Sequence, residues 1–282
     1  MKSLCVGALL AVSGLGVASV ASASEDGGHK MEHQKWGFNG MFGTYDADAM
    51  ARGYQVYREV CASCHALEHL SFRHLGDKGG PFYNPEFPNP SDNPDVKAFA
   101  QDWSVPDIDQ DNGDPIDRPG IPADKFPAIF PNAIAAAASN GGAVPPDLSL
   151  ITKARTGGAD YVYALLTGYH EAPHDVDMAE GTHYNTMFPG NQIKMAPPLF
   201  DGLVEYAART VPGEHGGEAH TIAAPEATAE QMARDVVEFL TWAGDPKMEV
   251  RKKLGFATFL YLFIFSLLLF ATYKQVWKGV KH

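Results

Sequence analysis

Residues 61–65 read Cys61-Ala62-Ser63-Cys64-His65, and this pentapeptide decides how the rest of the chain is organised. Two thiols separated by two residues, with an imidazole directly after the second, form the pattern of covalent haem attachment. Each thiol can make a thioether to a vinyl group, and the adjacent histidine supplies the proximal nitrogen to iron. Such a cofactor confines the function to one-electron transfer or small-ligand chemistry at the metal. Other uses of a Cys-x-x-Cys pair fit less well. Zinc asks for four ligands in two spaced pairs. The chain has 3 cysteines, and Cys5 lies in a segment expected to be removed. A thioredoxin-like dithiol needs a flanking strand-helix alternation that the sequence lacks, and a disulfide across two residues closes too short a loop to stabilise much.

Outward from the motif, the pattern is helical. Asp46 can cap a helix running to about Val60, and Met50, Tyr54, Tyr57 and Val60 give it one apolar face that delivers the chain into Cys61. Toward the far end, Thr228 and Gln231 make a capping-box pattern before Met232, Val236, Phe239, Leu240 and Trp242, with Gly244 and Pro246 as the stop. Asp147-Leu148-Ser149 opens a short helix ending at Gly157-Gly158, and Asp160 to Leu166 forms another ending by Gly168. The fold class this implies is mainly α, with helices and loops surrounding a flat buried cofactor.

Residues 79–146 break the pattern, because they hold 13 of the 20 prolines and no sustained period, so this stretch reads as mainly loop. Phe82, Tyr83, Phe87, Trp103, Phe126, Ile129 and Phe130 make it too apolar for a disordered linker, so it reads as an ordered excursion packed on the haem domain. Within it, Asp102, Asp107, Asp109, Asp111, Asp114 and Asp117 form an acidic stretch, either a docking surface or a solvated turn region.

The ends of the chain place it at a membrane. Met1 to Ala23 carries Lys2, an apolar run through Val20 and Ala21-Ser22-Ala23, which reads as a signal peptide over 1–23. Leu254 to Tyr273 is a run of 20 uncharged residues, the length of a bilayer core, so 251–282 reads as a transmembrane anchor with a cytoplasmic tail. Residues 24–250 are then an exported, periplasmic domain at a bacterial inner membrane. Of the 22 Lys and Arg, Lys2 lies in the leader and six flank the anchor, whereas all 34 Asp and Glu fall between. The exported part is therefore strongly negative, which steers basic partners and repels nucleic acid.

A haem with both axial positions filled by protein carries electrons, whereas one with an open face can do chemistry. The candidates opposite His65 are Met195, Met187, His183 and His174. Met195 precedes Ala196-Pro197-Pro198-Leu199, a stiff segment able to hold a soft ligand, and from the residues alone the choice stays open.

Beyond the haem motif, Gly53-Tyr54-Gln55-Val56-Tyr57, Phe72-Arg73-His74-Leu75, Pro145-Pro146-Asp147-Leu148-Ser149, Ala154-Arg155, Tyr161-Val162, Leu165-Leu166-Thr167-Gly168-Tyr169 and Met195-Ala196-Pro197-Pro198 follow in an order that resembles the cytochrome c1 family of alphaproteobacterial and mitochondrial type. The resemblance covers nearly the whole chain after the leader. It implies a class I-like c-type cytochrome haem domain with long ordered loop insertions and one C-terminal transmembrane helix. It further implies one covalent haem c on Cys61 and Cys64, with His65 and Met195 as axial ligands. Arg155 would pair a haem propionate and Pro146 would line the pocket. The implied partners are cytochrome b, a Rieske iron-sulfur protein as electron donor and a soluble or membrane-tethered cytochrome c as acceptor, in a dimeric quinol:cytochrome c reductase. A cytochrome donating to a terminal oxidase and a haem peroxidase-like enzyme are the competing functions. Residues 206–224 look longer than in many relatives, so the resemblance assigns them nothing.

Overall fold

The Asp46 carboxylate accepts from the backbone N–H groups of Asp48 and Ala49, and so caps helix α1 (Ala47–Glu59) where the sequence leads one to expect. The computed structural model describes residues 31–211 and 220–279. The leader read at 1–23 lies outside the described residues, as does most of the middle of 206–224.

The apolar face of α1 packs on α6 (Ala229–Gly244), and the two helices form the centre of the molecule. Thr228 caps α6 through the N–H of Gln231. The other half of the anticipated capping box is not made, because the Gln231 amide turns inward to Asp235 instead. Tyr54 and Tyr57 from α1 meet Phe239 from α6, and Phe82, Phe99 and Phe126 close round Tyr54. Across the same interface Arg52 donates twice to Asp235, with both N···O distances 2.8 Å. Asp235 is fully buried, so this bidentate pair compensates a charge that would otherwise be costly there.

Residues 79–146 are ordered and packed on the domain, and they are mainly loop, interrupted by short regular elements. They contain helix α2 (Pro94–Gln101), a hairpin of strands β1 (Ser104–Ile108) and β2 (Pro115–Pro119), and helix α3 (Ala133–Ser139). Asn93 caps α2 with Pro94 in its first turn, and Asn132 caps α3. Pro94 opens α2 and Pro115 and Pro119 end β2, positions that lose no helix donor, whereas Pro106 lies in mid-strand in a two-stranded ladder, where each strand has a free edge. The excursion is stapled to the segment after the haem motif by Phe72 N–H to Asp124 O, Arg73 N–H to Pro122 O and Phe126 N–H to Leu70 O.

Helices α4 (Ile151–Ala154) and α5 (Gly158–Thr167) pack on α6. The first is shorter than anticipated, because Asp147 caps a turn at Ser149 and regular helix starts only at Ile151. Strand β3 (His183–Tyr184) pairs antiparallel with β4 (Gln192–Ile193), and β5 (Arg209–Val211) with β6 (His220–Ile222). Finally α7 (Met248–Val276) runs unbroken for 29 residues, with mean hydropathy 2.3 in its most apolar window and none of that window buried. At 1.5 Å per residue it is about 43 Å long, enough to cross a bilayer. A core helix of this composition would be covered by protein, and this one is not.

Candidate haem site

Where α1 ends, the chain tightens into a 3-10 turn at Cys61–Ser63, and the N–H groups of Cys64 and His65 both bond to the carbonyl of Cys61 at 3.1 and 2.9 Å. Both cysteines are free thiols and half-buried. Cys61 packs against the aromatic core, where burial, with Cys64 adding to it, pushes its thiol up to about 12. The thiol is therefore neutral, not a thiolate poised for metal or redox exchange.

The His65 ring is oriented by its neighbours. Its Nδ1 lies 2.8 Å from the carbonyl oxygen of Pro146. A carbonyl only accepts, so Nδ1 carries the proton and Nε2 keeps its lone pair for a metal. Burial holds the imidazole below its ordinary pKa, which favours that neutral form. The partner segment is itself zipped onto the motif. Leu148 N–H donates to Ala66 O at 2.9 Å, Asp147 accepts from Glu68 N–H at 2.8 Å, and Ser149 accepts from His69 N–H at 3.1 Å. Pro146 thus acts through its backbone oxygen, a role its side chain gave no hint of.

Met195 follows β4, after a turn in which Gly190 and Asn191 take φ of +76° and +57°. The hydroxyl of Tyr169 donates to its carbonyl at 3.0 Å, and Leu199 and Leu203 beyond it pack on the core. Tyr57 does the same for His65, donating to its carbonyl at 3.0 Å. Each of these two residues therefore stands on a loop pinned by a tyrosine hydroxyl. Sequence reading missed both tyrosines as positioning groups, although Tyr57 stood on the recognised apolar face of α1. His183 lies in β3 opposite Ile193, the Met187 N–H is held by Asn185, and His174 is exposed. Arg155 is exposed at the end of α4, with its charge near Tyr161.

The donor set fits haem better than a bare metal ion. Among the described residues no group of three or more His, Cys, Asp or Glu side chains is placed to hold a metal. A porphyrin brings four equatorial nitrogens of its own and needs from the protein only axial donors, with thiols if it is to be tethered. A separate cavity of about 360 Å³ lies between Trp36, Tyr45, Thr152, Asp160 and Lys252, and none of the motif residues lines it.

Comparison with known proteins agrees. The description "Cytochrome C1 family" matches residues 36–280. The chain is 36% identical over 295 residues to cytochrome c1 of Rhodospirillum rubrum, covering 99% of this chain and 97% of the relative. It is 44% identical over 275 residues to the mitochondrial heme protein cytochrome c1-2 of Solanum tuberosum, covering 96% and 95%. Against cytochrome b/c1 of Bradyrhizobium diazoefficiens it is 43% identical over 290 residues, and there it spans only 39% of the relative's length. With the family match running over residues 36–280 and relatives 36–44% identical over nearly the whole chain, the chain belongs to the cytochrome c1 family.

Proposed function

We propose that this chain is the membrane-anchored electron-transfer subunit of a quinol:cytochrome c reductase, taking an electron from a Rieske iron-sulfur protein and giving it to a c-type cytochrome. Cys61 and Cys64 would tether one haem c, and His65 and Met195 would hold its iron. The cofactor supplies a reversible change of iron valence. The protein's own work is positional. Pro146 O fixes the tautomer and rotation of His65, Tyr57 and Tyr169 hold the two ligand loops, and the Pro145–Ser149 segment keeps the His65 loop from swinging away. Arg155, exposed beside Tyr161, would supply a guanidinium to a propionate. Residues 24–250 would lie in the periplasm of a bacterial inner membrane, after removal of residues 1–23, with 251–282 as anchor and tail. Cytochrome b would be the membrane neighbour, in a dimeric complex.

The observation that carries this reading is the His65 Nδ1 to Pro146 O hydrogen bond beside two unbridged cysteines, which leaves a neutral Nε2 free at a tethering motif. The test is spectroscopic. Met195→Leu is expected to abolish the far-red thioether-to-ferric band, and Met195→His to lower the potential by on the order of 100 mV or more. If both variants keep the parent spectrum and potential, Met195 is not a ligand. Carbon monoxide binding to the unmodified reduced protein would favour an enzyme over a carrier, and co-purification with an oxidase in place of cytochrome b would favour the oxidase donor.

A further inference from the structure

Residues 36–45, Trp36-Gly37-Phe38-Asn39-Gly40-Met41-Phe42-Gly43-Thr44-Tyr45, carry no charged side chain. They form a closed loop, because Thr44 N–H donates to Gly37 O at 3.1 Å. The closure is tight. A Cβ at Gly43 would lie 2.1 Å from the Asn39 carbonyl oxygen, and Gly40 takes φ +77°. At the tip Met41 and Phe42 are 63% and 74% exposed, an arrangement that costs free energy in water.

The loop is fastened along one stripe of α7. Glu249, Lys252 and Phe256 lie three and then four residues apart, so they share a helix face. Tyr45 N–H donates to Glu249 at 3.0 Å. Lys252 Nζ donates to the carbonyls of both Phe38 and Gly43, at 2.5 and 3.1 Å, clamping the two limbs. Phe42 packs edge-on against Phe256 with centroids 5.4 Å apart. From Glu249 to Phe256 the helix advances about 10 Å, and Phe256 is already inside the uncharged run that starts at Leu254.

We propose that the Met41-Phe42 tip enters the lipid bilayer beside the anchor and forms a second membrane contact of the haem domain. The occupant of this apolar surface is lipid, because the tip is held at the depth where α7 itself becomes membrane-like and offers no charge to be desolvated. With one helix the domain could rotate and tilt about its stalk; with the clamped loop it has two points of attachment and a fixed attitude toward the membrane plane. The inference rests on the reading of α7 as a membrane span.

The experiment uses the haem-loaded, membrane-anchored protein, reconstituted in phosphatidylcholine and phosphatidylglycerol nanodiscs. A nitroxide is attached at Phe42→Cys, with Phe259→Cys as the lipid reference and Ile116→Cys as the aqueous one. Relaxation by oxygen is compared with relaxation by a water-soluble nickel chelate. The label at 42 is expected to follow the label at 259, with an oxygen-to-nickel ratio several-fold above that at 116. Adding Lys252→Met should return it toward the aqueous value. A label at 42 that matches 116, or one shielded from both reagents by a protein neighbour, overturns the proposal while the 259 reference stays in lipid. A 259 label found in water would overturn the span, and the loop contact with it. Far-UV circular dichroism checks folding, and Met41→Cys replaces Phe42→Cys if that variant misfolds.

Discussion

Glu238 is a buried carboxyl that ties α6 to the start of α1. It is 4% exposed on α6, and its Oε1 accepts the N–H of Asp46, the residue that caps α1. Burial raises its pKa from 4.5 to about 7, nearby Asp46 and Asp235 add to the rise, and the Asp46 N–H and Arg234 oppose it. A carboxyl raised in this way binds its proton more tightly folded than unfolded. The stabilisation is therefore complete below about 4.5 and is lost as pH climbs through about 7. Glu238→Gln keeps the acceptor for Asp46 without the ionisation. It should leave stability at pH 4 nearly unchanged and raise it at pH 8 by as much as roughly 3 kcal/mol. Denaturant melts at both pH values check this, and equal pH slopes in parent and variant would remove Glu238 as the cause.

At the scale of elements, the α1–α6 crossing depends on Gly53. A Cβ there would lie 2.0 Å from the Asp235 carbonyl oxygen and 2.7 Å from Phe239 Cβ, so the two backbones can approach only because position 53 has no side chain. Gly53→Ala should gain helix propensity of about 1 kcal/mol but force the helices apart, for a net loss on the order of 2–4 kcal/mol. A variant with an unchanged denaturation midpoint would show that α1 can slide at little cost. The same crossing shows what was legible in the sequence. Asp46, Thr228 and the spacing of Met50, Tyr54 and Tyr57 marked α1 and α6, because caps and periodicity are local and their partners lie within a turn or two. Asn93 before Pro94, and Asn112-Gly113 between β1 and β2, were equally local signals for α2 and the hairpin, but the density of proline around them masked the short periods. The candidate site divides in the same way. The thiols and His65 are contiguous and could be read directly, whereas Pro146 O, Tyr57 and Tyr169 act through backbone atoms brought together only by folding.

Over the whole molecule, charge is the property most exposed to a partner. The chain carries a formal −12, and the hairpin concentrates part of it. Arg118 pairs with Asp107 and Asp124 and holds both carboxyls below their ordinary range, so those two contribute little free field. Asp102 pairs with Arg58. Asp111, Asp114 and Asp117 remain exposed at the turn and on β2. If this edge steers a basic acceptor, screening must weaken it. The Debye length falls from about 30 Å at 0.01 M salt to about 10 Å at 0.1 M. The second-order rate of reduction of a soluble basic c-type cytochrome should then drop by about tenfold over that range. The triple variant Asp111→Asn, Asp114→Asn, Asp117→Asn should be slower at low salt and should converge with the parent at high salt, since the field is removed and the electron path is not. Stopped-flow rates at three or more ionic strengths decide it. Parallel salt curves for parent and variant would place the steering elsewhere on the acidic surface, and flat curves for both would mean that the hairpin's carboxylates serve only to solvate a turn.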